Sequence, residues 1–442
     1  MPIRDFLVLG ALAATIPYVF RYVFVGVLLW TWVGIMNPHK LAYGFMNSAP
    51  VAMVVALVTF IGLFTTKDRV KFDWSTPMVV LAIFVVWMGL TTVFAFFPGE
   101  SLPQLIKVLK IQIMTFIAAA VLYKHMHIRL FIWINVLSLG FYGLKGGIYT
   151  IATGGGGRVW GPPGGFVEGN NELGLALIMT IPLMHFLRVT SPHKWVKRGL
   201  LVLMVLSAVS AIGTQSRGAM LAISGMAVVL WWRAPNKAIN AFMLSLVGLV
   251  ILAMMPESWY ERMGTIQTYE NDGSAMGRIN AWITMANVAN DRFFGGGFDV
   301  QNPFVFGLYA PDPSNPLTAH SIYFQVLGEH GYVGLGLFLT LWLLAWRRAA
   351  ALRRGTRNDP ELGWLYHLGS MIQVSLVGYA IGGAFLSLAY FDLPYNILVA
   401  LVVATRWRAE HAMVDEHDAE LTARPAANTP LRMRFLWWVR TA

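Results

Sequence analysis

Three side chains able to do chemistry stand out, two where apolar runs begin and one within a long polar stretch. They are Arg217 in Gln215-Ser216-Arg217-Gly218-Ala219, Arg278 in Gly277-Arg278-Ile279-Asn280-Ala281-Trp282, and His320 in Ala319-His320-Ser321-Ile322-Tyr323. An imidazole with an ordinary pKa of about 6.5 takes a proton at neutral pH. Guanidinium forks match the oxygens of phosphate and pyrophosphate. The polar stretch 255–319 interrupts an otherwise apolar chain and delivers His320 to the mouth of the next apolar run. Imidazole and guanidinium together point to an enzyme acting on a lipid-linked phosphate.

Further cations flank this set. Lys107, Lys110 and Lys145 sit near the ends of apolar runs, and Arg158 lies in the glycine-rich segment 152–170. Asn170 and Asn171 follow that segment and are placed to hydrogen-bond a sugar or phosphate; Tyr323 falls on the same face as His320 if a helix begins near Ala319. The plain alternative for any one cation is snorkelling to the bilayer interface. As a group facing one side they read as an anion site, because charge near the membrane is costly unless paired, hydrated or functional. The glycine run is no P-loop, since no G-K-[ST] follows. No metal spacing and no paired D-x-D is found, so the expectation is catalysis without metal or other cofactor.

Positioning these residues is the work of membrane helices. Hydrophobic residues make up 57% of the 442 and charged residues 12%, far from the roughly 25% charged of soluble domains. Apolar runs recur at bilayer-spanning length, about 20 residues each. The expected fold is an all-α polytopic membrane protein with about twelve spans, near 6–36, 48–64, 77–97, 104–123, 130–151, 171–188, 198–214, 217–232, 236–255, 320–346, 366–388 and 391–407. Residues 1–407 then form one integral membrane domain with a long loop at about 255–319, and 408–442 a cytoplasmic tail. The first stretch is broken near Pro17 and Arg21 and either crosses once or forms a hairpin. The net charge of +11 is topogenic here and does not call for nucleic acid. The chain has no cysteine, which excludes disulfides and thiolate chemistry.

Basic connections occur at every second position: 67–71, 123–129, 188–198, 232–237 and 346–357. The positive-inside rule assigns these to the cytoplasm. The remaining connections, with Arg158, Arg217, Arg278 and His320, then face the other compartment. Within 255–319, the segment from Gly277 reads as an amphipathic helix on the membrane surface with Ile279, Trp282, Ile283, Met285, Ala286 and Ala289 on its apolar side. Phe293-Phe294-Gly295-Gly296-Gly297-Phe298 reads as a flexible aromatic segment able to close over substrate. Gly218 is expected to relax the turn at Arg217, and Glu329 with His330 reads as a buried structural pair.

Ser216-Arg217-Gly218-Ala219, Gly277-Arg278 with Phe294-Gly295-Gly297, and His320-Ser321-Ile322-Tyr323 leading to Leu327-Gly328-Glu329-His330-Gly331 resemble the O-antigen ligase and polymerase superfamily. The resemblance spans about 150–345. Gly169-Asn170-Asn171-Glu172-Leu173 is also similar to the corresponding loop of O-glycosylation ligases. The resemblance implies a GT-C-type glycosyltransferase of the bacterial inner membrane with its active site facing the periplasm. It would move O-antigen from undecaprenyl pyrophosphate to a sugar hydroxyl of lipid A–core, with Arg217, Arg278 and His320 as the functional trio. An O-antigen polymerase or a protein O-oligosaccharyltransferase fits the same residues. A lipid-linked glycan transporter fits less well, because neither inverted repeats nor mid-membrane polar residues stand out.

Overall fold

Nearly every apolar run forms a helix in the computed structural model, which describes residues 3–66, 68–72, 74–233, 236–253, 257, 260 and 273–423. The order is α1 (Ile3–Val19), α2 (Val23–Met36), two 3-10 turns (Pro38–Leu41 and Phe45–Asn47), α3 (Val51–Thr65), α4 (Thr76–Val93), α5 (Pro98–Val121), α6 (His125–Ala152), α7 (Asn170–Thr190) and α8 (Lys194–Gly213). It continues with α9 (Arg217–Arg233), α10 (Lys237–Ala253), α11 (Gly273–Asp291), α12 (Pro303–Tyr309), α13 (Ile322–Arg353), α14 (Gly363–Gly383) and α15 (Asp392–Ala423). No strand occurs among the described residues. Six helices, α4 to α8 and α13, are long and apolar enough to cross a bilayer by length and composition. The chain is a multi-pass membrane protein. Part of the expected 255–319 loop, and the basic aromatic end of the tail at 431–440, lie outside the described residues.

The first stretch is a hairpin rather than one crossing. The chain turns at Phe20–Tyr22, where Tyr22 N–H donates to the Tyr18 carbonyl at 2.7 Å. The start of α1 then returns to the far end of α2. Arg4 Nη1 donates to the Leu41 carbonyl at 3.2 Å, and the buried Asp5 carboxylate accepts from Gly44 N and Met46 N at 3.2 and 2.8 Å. A buried carboxylate needs such donors, because an unsatisfied charge there is costly.

The two ends of the bundle are tied differently. At one end α15 acts as a staple: Arg406 donates to the Lys71 and Leu122 carbonyls, Arg408 to those of Ala351 and Arg354, and Arg69 pairs with Glu410. Here the helix shows no boundary near 407. It runs on to Ala423, so the first half of the expected tail continues the last span. At the opposite end lie the 3-10 turns, the 153–169 loop, the turn 214–216, the segment 310–321 and the connection 384–391. Tyr142 donates to the Met36 carbonyl at 2.5 Å and Val159 N to that of Gly213 at 3.1 Å, joining these loops across helices. Backbone carbonyls within 384–391 have no helical partners. Tyr379 and Tyr395 supply donors, to Leu388 O at 3.1 Å and Ala389 O at 2.9 Å.

Helix α13 breaks at Gly331, whose φ of 66° and ψ of −172° are not helical. The break deprives the carbonyls of Gly328 and Glu329 of their helical donors. Gly296 N and Gly297 N replace them at 2.8 and 3.0 Å. Gly295 and Gly297 reach this position with φ of 70° and 84°, in the left-handed region glycine tolerates. Phe294 stacks on Phe94 with centroids 4.4 Å apart, and Phe298 meets the His330 ring edge-on at 4.8 Å. The segment 293–298 is thus a strap fixed across the break, where the sequence suggested a flexible closing loop. Beneath it, buried Glu329 accepts from Tyr390 at 2.5 Å and from Gln325 at 3.3 Å, and His330 shares a hydrogen bond with Thr91 at 2.7 Å. This is the structural pair the sequence suggested.

Candidate active site

Helix α11 holds the first guanidinium. Its buried stripe is Ala281, Met285 and Val288, and Met285 packs on Gly328 of α13. The apolar side proposed from sequence is therefore rotated: Ile283 is exposed, and the helix is clamped to protein along this stripe. Trp282 Nε1 donates to the Ala319 carbonyl at 2.6 Å, and its ring stacks on Phe324 at 5.1 Å. Asn280 brackets the segment from the other side. Its amide donates to Asp312 O at 2.8 Å, and its carbonyl accepts Asp312 N at 2.9 Å. One turn of α11 thereby fixes the segment that carries the histidine.

His320 does not begin a helix. The helix starts at Ile322, and His320 sits before it with φ of 43°, a left-handed conformation uncommon for a residue with a Cβ. Such conformations cost energy and persist where neighbours impose them; here Trp282, Asn280 and the N-terminal turn of α13 do so. Its Nε2 shares a 2.7 Å hydrogen bond with Thr318 Oγ1, and its Nδ1 is buried with no hydrogen-bond partner among the described residues. A buried N–H without an acceptor is costly. The favoured tautomer has Nε2–H donating to Thr318, leaving the Nδ1 lone pair for a proton. Burial, and then the positive charge of Arg278, lower the imidazole pKa below its ordinary value. Arg278 also acts on Glu172, in the first turn of α7.

Arg217 is the first residue of α9. The turn before it depends on Gln215, which takes φ of 55°, and on Ser216, whose Oγ accepts Ala219 N at 3.2 Å. Gly218, expected to relax this turn, is instead helical. Its missing side chain admits Phe385, which a Cβ there would approach to 3.1 Å. The Asn170 amide donates to the Thr214 carbonyl at 2.8 Å, joining α7 to the same turn.

These contacts close a ring. The Arg217 turn meets the start of α7, Glu172 there feels Arg278, Arg278 feels His320, and Ile322 packs on Gly383. The end of α14 then returns to Gly218 through Phe385. Tyr323 donates to the Ala380 carbonyl at 2.8 Å, so its hydroxyl ties α13 to α14. Asn170 is likewise engaged in a structural bond, and Asn171 is half-buried beside it.

The lysines divide. Lys107 lies 4.0 Å from the Phe166 ring centroid and within electrostatic reach of Asp392. An acid thus lies near a cation that the sequence assigned to an anion site. Lys110 is exposed on α5. Lys145 and Arg158 line another cavity with Arg4 and Lys40, and Arg158 Nε also reaches Gln215 Oε1 at 3.4 Å. Glu172, Arg4 and Lys40 are neighbours of these candidates that the sequence did not single out. Only the hairpin, bringing α1 back to the 3-10 turns, gathers the last two.

Residues 202–339 match the family model described as O-antigen ligase, and that stretch contains Arg217, Arg278 and His320. This domain match supports the resemblance to the O-antigen ligase superfamily that the motifs suggested. Residues 3–192 match a family of unknown function (DUF5935). No curated protein matches the chain. The match supports a glycosyltransferase-like membrane enzyme of ligase or polymerase type.

Proposed function

We propose that the chain is an O-antigen ligase of the inner membrane that transfers a glycan from undecaprenyl pyrophosphate to a sugar hydroxyl of lipid A–core at the periplasmic face. The observation that carries this reading is the strained His320, with a buried free Nδ1 beside Arg278 in the stretch matching the ligase family. The acceptor oxygen attacks the anomeric carbon from the face opposite the pyrophosphate. The new C–O bond forms as the bond to the pyrophosphate oxygen breaks, and the hydroxyl proton passes to His320 Nδ1. Arg217 and Arg278 receive the charge growing on the leaving group, the transition-state stabilisation that fixed cations supply best in a dry site. The outcome is inversion in one displacement, with no covalent enzyme intermediate and no metal.

The GT-C architecture, the donor and the acceptor belong to this proposal together with the site. The test is transfer by the purified protein in proteoliposomes with lipid-pyrophosphate donor and lipid A–core, with and without chelator. Loss of transfer in chelator would remove the metal-free mechanism. Transfer only to donor-linked glycan would make the enzyme a polymerase, and transfer only to protein an O-oligosaccharyltransferase.

A further inference from the structure

The stretch matching a family of unknown function contains a cavity of its own. About 400 Å³ in volume, it is lined by Arg4 of α1, Lys40 and Tyr43 after α2, Lys145 and Tyr149 of α6, and Arg158 and Trp160 of the following loop. Four cations thus surround one void, and no carboxylate lines it. None of the four forms an ion pair with a carboxylate among the described residues. Arg4 and Lys40 are held in place by neutral acceptors, the carbonyls of Leu41 at 3.2 Å and Asn47 at 2.8 Å. Like charges gathered this way repel unless an anion joins them. Asp5, next to Arg4 in sequence, is spent on Gly44 and Met46, and Glu168, the acid nearest Arg158 along the chain, accepts from Gly164 N.

A second cavity of about 440 Å³ shares Arg4, Leu41 and Lys145 with the first, and is otherwise lined by Leu7, Val8, Ala11, Trp32, Met36, Pro38 and Phe141. It therefore begins at the cations and follows α1 away from them. From Arg4 to Ala11 the helix rises roughly 10 Å, enough for the first part of a hydrocarbon chain. Tyr43 and Trp160, both well exposed, mark the level where aromatic residues sit between headgroups and water.

We propose that these joined cavities form a binding site for a membrane lipid with an anionic phosphate headgroup, the phosphate among Arg4, Lys40, Lys145 and Arg158 and a tail along α1. The site lies outside the catalytic ring, in the part of the chain that the ligase family does not match. It touches that ring at one point, the Arg158–Gln215 contact in the turn preceding Arg217.

The full chain, delipidated in detergent, is titrated by native mass spectrometry with phosphatidylglycerol, phosphatidylcholine of the same chains, and inorganic phosphate. Phosphatidylglycerol is expected to bind at least tenfold more tightly than phosphatidylcholine. Arg4→Ala/Lys145→Ala should abolish that preference, and Ala11→Trp, which fills the tail groove and leaves the cations, should weaken both lipids. Equal binding of the two lipids, or phosphatidylglycerol binding unchanged in both variants, overturns the proposal. Inorganic phosphate binding as tightly as the lipid, with Ala11→Trp silent, overturns it in favour of a free-anion site. Loss of lipid preference only on adding a polyprenyl pyrophosphate at equimolar level would make this the donor's own site, and overturn it too. Because the readout is binding, a failed transfer assay leaves this test standing.

Discussion

A proton acceptor must be neutral before it can act, and burial and the charge of Arg278 favour the neutral form of His320, the proposed base. Both lower its pKa, so the neutral form prevails at neutral pH. The transfer rate should fall only when acid carries the pH down through that lowered value. In Arg278→Gln the imidazole pKa returns toward its ordinary value, so the acid limb of the pH–rate profile should move to higher pH. A limb that stays in place would mean that Arg278 does not govern His320. His320→Ala should lose roughly 10²–10⁴-fold in transfer rate, the usual range for a general base, while retaining donor lipid, as measured by co-purified pyrophosphate. At this scale the sequence disclosed the residue types and little of their use. Arg217 and His320 stood out at the borders of apolar runs, and Arg278 within the long polar stretch between them. The left-handed backbone of His320 depends on the packing of α11, and the partnership of Arg278 with Glu172 on the approach of α7 to α11; neither leaves a mark in local spacing.

Elements are fixed here by glycines at a few points. The break in α13 needs Gly331, where a Cβ would collide with the Phe293 carbonyl and the φ of 66° disfavours any other residue. Gly331→Ala should cost on the order of 1–3 kcal/mol, the range for one strained backbone residue, and lower the thermal midpoint of the detergent-solubilised protein. Because the strap at 293–298 hydrogen-bonds across that break, the same change should speed amide exchange at Gly296 and Gly297. Gly218→Ala probes a different contact and should disturb the packing of Phe385. The helices themselves were readable from apolar runs, several boundaries within a few residues. The short 3-10 turns, the rotation of α11 and the strap were not, because each answers to a neighbour's unpaired backbone or to a facing helix.

For the whole molecule, the ring of catalytic candidates and the cation-lined cavity lie at one end of the bundle, and the α15 staple at the other. The absence of cysteine makes this easy to check with single introduced thiols. Cysteines at Tyr43, Trp160 and Thr318 should react with a membrane-impermeant maleimide in intact cells whose outer membrane has been permeabilised. One at His411 should react only after lysis. Reaction of position 318 together with position 411 would end the proposed active-site side. The alternation of basic connections anticipated this division into two ends, and the hairpin at 20–22 was left open beside a single crossing. The charge pattern could not choose, since Arg4 and Arg21 are each compatible with either side.

His320 occupies a backbone shape that glycine or asparagine would hold with less effort. Selection for robustness and selection for turnover therefore pull in opposite directions at one codon. A saturation library at that position, sorted first by survival of a heat challenge and then by surface glycan, should return different winners from the two sorts. Breeding a sturdier version of the protein by heat alone would discard the proposed base.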